Sequence, residues 1–112
     1  MQAMFADGQV AVTACGEGPP LVLLHSLLAD RTSFDRVTPA LGRDFRLLLP
    51  DLPGFGASAP APGGLEAVAD RVGAALRAAT GGRPAAGLGN GYGGFVLLLC
   101  ALRHPDLFAR LV

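Results

Sequence analysis

The chain has 112 residues, 51% of them hydrophobic, and its nine basic and nine acidic residues balance to a net charge of +0. All nine basic residues are arginine and no basic stretch stands out, which argues against a nucleic-acid partner. Residues 95–102 form the longest apolar run, far short of the ~20 residues a membrane span needs; residues 1–7 lack the features of a signal peptide, so the expectation is a cytoplasmic chain of one domain or part of one.

Residues 9–14 read as a strand of weak alternation, and Gly16-Glu17-Gly18-Pro19-Pro20 as the turn that follows it. Residues 21–25 are a continuous apolar run ending on His25, the pattern of a parallel strand buried on both faces. Thr32 to Asp35 has capping-box spacing, with Asp35 in place of Glu or Gln, and predicts a short helix carrying Phe34, Val37 and Leu41. Residues 45–49 form a second buried-type strand. Residues 50–62, with four prolines and two glycines, form a loop.

Residues 65–79 are the clearest amphipathic helix. Leu65, Val68, Val72, Ala75, Leu76 and Ala79 share one face, and Gly81-Gly82 supplies the stop. A strand at 85–88 leads into the turn Gly89-Asn90-Gly91-Tyr92-Gly93-Gly94. An apolar helix follows and ends near Arg103, because Pro105 cannot continue it. Residues 109–112 begin another strand. Alternating strands and helices give the fold class α/β, a mainly parallel sheet flanked by helices, in one unit over residues 1–112. Cys15 and Cys100 are far apart, have no metal-type spacing, and read as free thiols.

The 89–94 turn carries two patterns at once. Its spacing fits the strand-turn-helix elbow G-x-S-x-G, with Gly91 at the central position. Gly89, Gly91 and Gly94 also satisfy G-x-G-x-x-G, which in a dinucleotide site requires an acidic residue ~20 residues further on. That position lies just where the chain stops.

Two further segments bear on the choice. Leu21-Val22-Leu23-Leu24-His25-Ser26-Leu27 is similar to the strand and oxyanion loop of the α/β-hydrolases. Asp51-Leu52-Pro53-Gly54-Phe55-Gly56-Ala57-Ser58 is similar to their D-x-x-G-x-G-x-S loop. With the elbow-like turn they stand in family order, and the resemblance covers residues 8–112. It implies a partial α/β-hydrolase fold: the chain reads as the truncated N-terminal part of a single domain, with strand 21–25 between strands 45–49 and 85–88. It implies hydrolysis of an ester, lactone or related bond in a small-molecule ligand, without a cofactor.

The resemblance also assigns positions. His25 and Ser26 fall in the oxyanion loop, where Ser26 replaces a common glycine. The backbone N–H groups of Leu27 and Tyr92 correspond to the oxyanion hole, and Gly91 to the nucleophilic serine. Glycine has no side chain with which to attack, and the family's acid and histidine lie beyond the residues present. The expectation is an inactive chain. The alternatives are a pseudoenzyme that binds a small ester, lactone or carboxylate, and a Rossmann-type dinucleotide-binding fragment.

Other polar residues read as structural. His25 is expected to shape its loop, His104 to close a helix, and Asp51 and Ser58 to bond local backbone. Cys100 is expected to pack. Phe34, Phe55, Tyr92 and Phe95 suit either a pocket lining or the core.

Overall fold

The computed structural model describes residues 2–6 and 8–112. Met1 and Asp7, part of the segment read above for a signal peptide, lie outside the described residues.

Among the described residues six strands form one sheet: β1 (Gln2–Phe5), β2 (Val10–Cys15), β3 (Pro20–Leu24), β4 (Arg46–Pro50), β5 (Ala85–Gly89) and β6 (Phe108–Leu111). Their order is β1-β2-β4-β3-β5-β6. β1 and β2 are antiparallel to their neighbours, and β4, β3, β5 and β6 run parallel. β3 therefore lies between β4 and β5, as expected.

The central strands are continuously apolar because both of their faces are covered. Val22, Leu24 and Leu48 point into a core shared with Val68, Val72 and Leu76. Leu21, Leu23, Leu47 and Leu49 point the other way, against Phe34, Leu41 and Phe45. Successive strand side chains alternate between faces, so two cores demand an unbroken apolar run. Each buried leucine contributes about 1.5–3 kcal/mol relative to exposure.

Among the described residues three α-helices connect the strands: α1 (Thr38–Leu41), α2 (Gly64–Thr80) and α3 (Tyr92–Arg103). α2 buries Val68, Ala69, Val72, Gly73, Ala75 and Leu76. It stops at Gly81, whose φ of 66° is one that glycine adopts without strain. α3 packs against α2 through Cys100, whose thiol donates to the Ala69 carbonyl at 3.1 Å. Two surface clamps reinforce that packing: Arg103 and His104 on Asp70, and Arg77 on Asp106.

Two sequence expectations change. The helix predicted from Thr32 is a 3-10 turn, Arg31–Phe34, capped by Asp30, whose carboxylate accepts from the Thr32 N–H at 2.9 Å. After it comes the separate single turn α1. Asp30 displaces Thr32 as cap because its shorter-range geometry satisfies both the N–H and the hydroxyl of Thr32. Strand β1 was not anticipated. Its residues are mostly exposed and carry no alternation, and its pairing with β2 is what orders them.

Candidate functional site

β3 and β5 are neighbours in parallel register, with Leu24 opposite Gly89. Their following loops therefore leave the carboxyl edge of the sheet side by side, the edge at which open α/β sheets bind ligands. The Asn90 N–H donates to the Leu24 carbonyl at 3.1 Å and stitches the two loops together.

Gly91 turns the chain from strand into helix with φ 57° and ψ −120°. A residue with a Cβ is strained there by about 1–3 kcal/mol; glycine is not. Gly93 is needed for a different reason. A Cβ on it would come closer than 3.0 Å to the carbonyl oxygens of Leu24 and His25, so the start of α3 seats directly on the end of β3. The Gly93 N–H donates to Asn90 at 3.0 Å and the Phe95 N–H to Gly91 at 3.1 Å.

Ser26 faces Gly91 across this junction. A Cβ on Gly91 would stand closer than 3.0 Å to the Ser26 hydroxyl oxygen and 3.3 Å from the Ser26 Cβ. The Ser26 side chain thus fills the space that a side chain at position 91 would enter.

His25 is fully buried and uses both ring nitrogens. Nδ1 lies 2.8 Å from the Ser26 carbonyl, and Nε2 accepts the Leu52 N–H at 2.9 Å. An accepting Nε2 requires that Nδ1 carry the proton and donate it to Ser26. His25 thereby ties the Ser26 loop to the loop after β4, and Phe55 packs edge-on against its ring at 5.7 Å.

The β4 loop is held by its own polar groups. The Asp51 carboxylate accepts from the Arg31 N–H at 2.9 Å and the Ala57 N–H at 3.0 Å. The Ser58 hydroxyl accepts from the Ala11 N–H at 2.9 Å and donates to the Asp51 carbonyl. Both side chains are buried and spent on backbone. The part played by Arg31, which anchors the 3-10 turn to Asp51, has no local sequence signal, because it links segments from opposite ends of a helical connection.

The two N–H groups singled out from the sequence belong to the residues that directly follow Ser26 and Gly91. Leu27 is exposed, and Tyr92 opens α3 and is partly buried. Among the described residues neither N–H has an acceptor. Of the four aromatic residues considered as a pocket lining, Phe55 and Tyr92 adjoin each other at 6.2 Å beside His25. Phe34 packs on the opposite face of the sheet, and Phe95 is exposed on α3.

The remaining titratable candidates lie elsewhere. His104 Nε2 is 2.8 Å from Asp70, and the His104 N–H caps α3 on the Cys100 carbonyl at 2.8 Å. Bonds from Arg103 and then His104 hold the Asp70 carboxyl down at about 2. Burial, with the nearby Asp70 charge, pushes the Cys100 thiol up to about 12, which removes it as a nucleophile at neutral pH. Among the described residues no group of three His, Cys, Asp or Glu side chains is arranged to hold a metal, and no helix is long and apolar enough to cross a membrane.

Residues 19–112 match the family described as the alpha/beta hydrolase fold. The chain belongs to the α/β-hydrolase family. It is 36% identical over 102 residues to the magnesium-chelatase 30 kDa subunit of Rhodobacter capsulatus, covering 88% of this chain and 36% of that protein. It is 36% identical over 107 residues to the pimeloyl-[acyl-carrier protein] methyl ester esterase of Aeromonas hydrophila, covering 92% and 40%. Among solved structures, the epoxide hydrolase CorEH superposes with a TM-score of 0.85 at 32% identity, covering 99% of this chain and 40% of that one. The chain thus spans about two fifths of the length of these relatives. The dinucleotide reading of the glycine turn draws no support from these matches.

Proposed function

We propose that this chain forms the N-terminal part of a single α/β-hydrolase domain built to handle ester- or lactone-type bonds. Gly91 occupies the nucleophile position, so covalent catalysis through residue 91 is absent. In this reading the N–H groups of Leu27 and Tyr92 are the oxyanion donors, aimed by backbone and independent of side-chain identity. The reading rests chiefly on the backbone of Gly91, which has positive φ at a strand-to-helix turn beside those two unspent N–H groups. The name of one relative, a methyl ester esterase, supports the substrate class.

His25 spends both nitrogens on backbone and His104 is engaged with Asp70, so neither is placed to activate a nucleophile. The chain by itself is therefore inactive. The test is turnover of a small activated ester by the purified chain: none above the buffer rate is expected, and robust turnover overturns the reading.

The absence of a side chain at position 91 also favours a second reading, a pseudoenzyme that binds a small ester, lactone or carboxylate without reaction. Amide shifts of Leu27 and Tyr92 on titration with a short carboxylate would support it, and unchanged shifts at millimolar ligand would refute it.

A further inference from the structure

The elbow lacks a hydroxyl at position 91, yet a hydroxyl stands in that space. It belongs to Ser26, which reaches across from the end of β3. We propose that Ser26 takes the place of the missing elbow nucleophile, so that the acyl-accepting oxygen has moved from the strand-helix turn to the neighbouring loop. The inference rests on the ester-hydrolase reading above.

Three observations carry it. The first is position: the Ser26 oxygen lies closer than 3.0 Å to the point where a Cβ on residue 91 would stand. The second is availability. The hydroxyls of Thr32, Ser33, Thr38, Ser58 and Thr80 are each bonded to a neighbouring acceptor. Among the described residues the Thr13 and Ser26 hydroxyls have no such bond; the Thr13 oxygen is buried, whereas Ser26 is only partly buried. The third is mutual exclusion. A Cβ on residue 91 would require the Ser26 hydroxyl to move away, so in the present arrangement Ser26 is the side chain that holds this position.

The step balances as follows. The Ser26 oxygen forms a bond to the ester carbonyl carbon, and its proton passes to an imidazole-class base from solution. The bond from that carbon to the alcohol oxygen breaks; the oxygen leaves with the electron pair and takes up the proton. Water then cleaves the acyl-serine, releasing the acid and restoring the hydroxyl. Because His25 and His104 are committed elsewhere, the base is supplied from outside, and a hydroxyl without a base is a poor nucleophile.

The experiment is covalent labelling of the full chain by an alkyl fluorophosphonate in buffer with and without free imidazole, read by intact mass and peptide mapping. The chains compared are wild type, S26A and the exchange variant S26G/G91S. The proposal expects a single adduct on Ser26 that rises at least about tenfold with imidazole and is lost in S26A. An adduct on residue 91 of the exchange variant, with none on Ser26 of wild type, overturns the Ser26 assignment and leaves the ester reading standing. No adduct at either position in any chain overturns the Ser26 assignment and leaves the ester reading, which expects an inactive chain and has its own turnover test, standing.

Discussion

The Ser26 hydroxyl and the α-carbon of Gly91 face each other so closely that a Cβ on residue 91 would overlap the Ser26 oxygen. They come from different strands, β3 and β5, and meet because those strands are adjacent and parallel with Leu24 opposite Gly89. Substitutions at the two positions are therefore energetically coupled.

Gly91→Ala carries two penalties, backbone strain of about 1–3 kcal/mol and the collision with Ser26. Removing the Ser26 side chain relieves only the second. Urea melts of wild type, G91A, S26G and S26G/G91A are expected to give a coupling energy of about 0.5–3 kcal/mol, with the double variant more stable than the single effects sum to. Strict additivity would mean that the two residues are not in contact.

His25→Ala removes the link between two loops and strands the buried Leu52 N–H. The expected loss of stability is about 2–4 kcal/mol, an unsatisfied group plus a cavity. Equilibrium denaturation measures it. A loss below about 0.5 kcal/mol would show that the His25 bridge does not hold the loops.

Asp70 gives the α2–α3 clamp a pH signature. Its folded carboxyl is held at about 2 against an ordinary 3.8, first by Arg103 and then by His104. A depressed folded value means stabilisation that is complete above the ordinary range and lost as pH falls through about 2. Melting of wild type and D70N is expected to differ modestly at neutral pH and to converge between 3.8 and about 2. A gap that widens on acidification would contradict the clamp.

The two thiols are expected to react unequally. Cys15 is partly exposed, whereas Cys100 is buried, with its thiol pushed up to about 12. Iodoacetamide at neutral pH should add one group to the native chain, on Cys15, and a second only in denaturant. Native alkylation of Cys100 would show that the α2–α3 contact opens.

The parts of the fold written as continuous apolar runs are legible in the sequence. Leu21 to Leu24 and Leu47 to Leu49 each serve two cores, as a strand covered on both faces requires. α2 is legible from its period and its Gly81 stop. β1 is not, since its exposed residues are ordered by an edge pairing that leaves no pattern. The Asp30 cap is masked by a competing capping-box spacing that starts two residues later, at Thr32. Ser26 and Gly91 each stand out as departures from the hydrolase pattern, but their contact depends on strand adjacency and register, which local sequence does not encode.

The central proposal is that Gly91 stands at the nucleophile position of the elbow-like turn and that, among the described residues, neither His25 nor His104 is placed to activate a nucleophile. Turnover of an activated acetate ester in imidazole-free buffer tests it most directly, with wild type, G91S and S26G/G91S each verified as folded. The account predicts that none of the three exceeds the buffer rate, because a serine at either position lacks a base. Turnover in any of them that H25A or H104A abolishes would contradict it, by showing that a histidine assigned here to structure performs the chemistry.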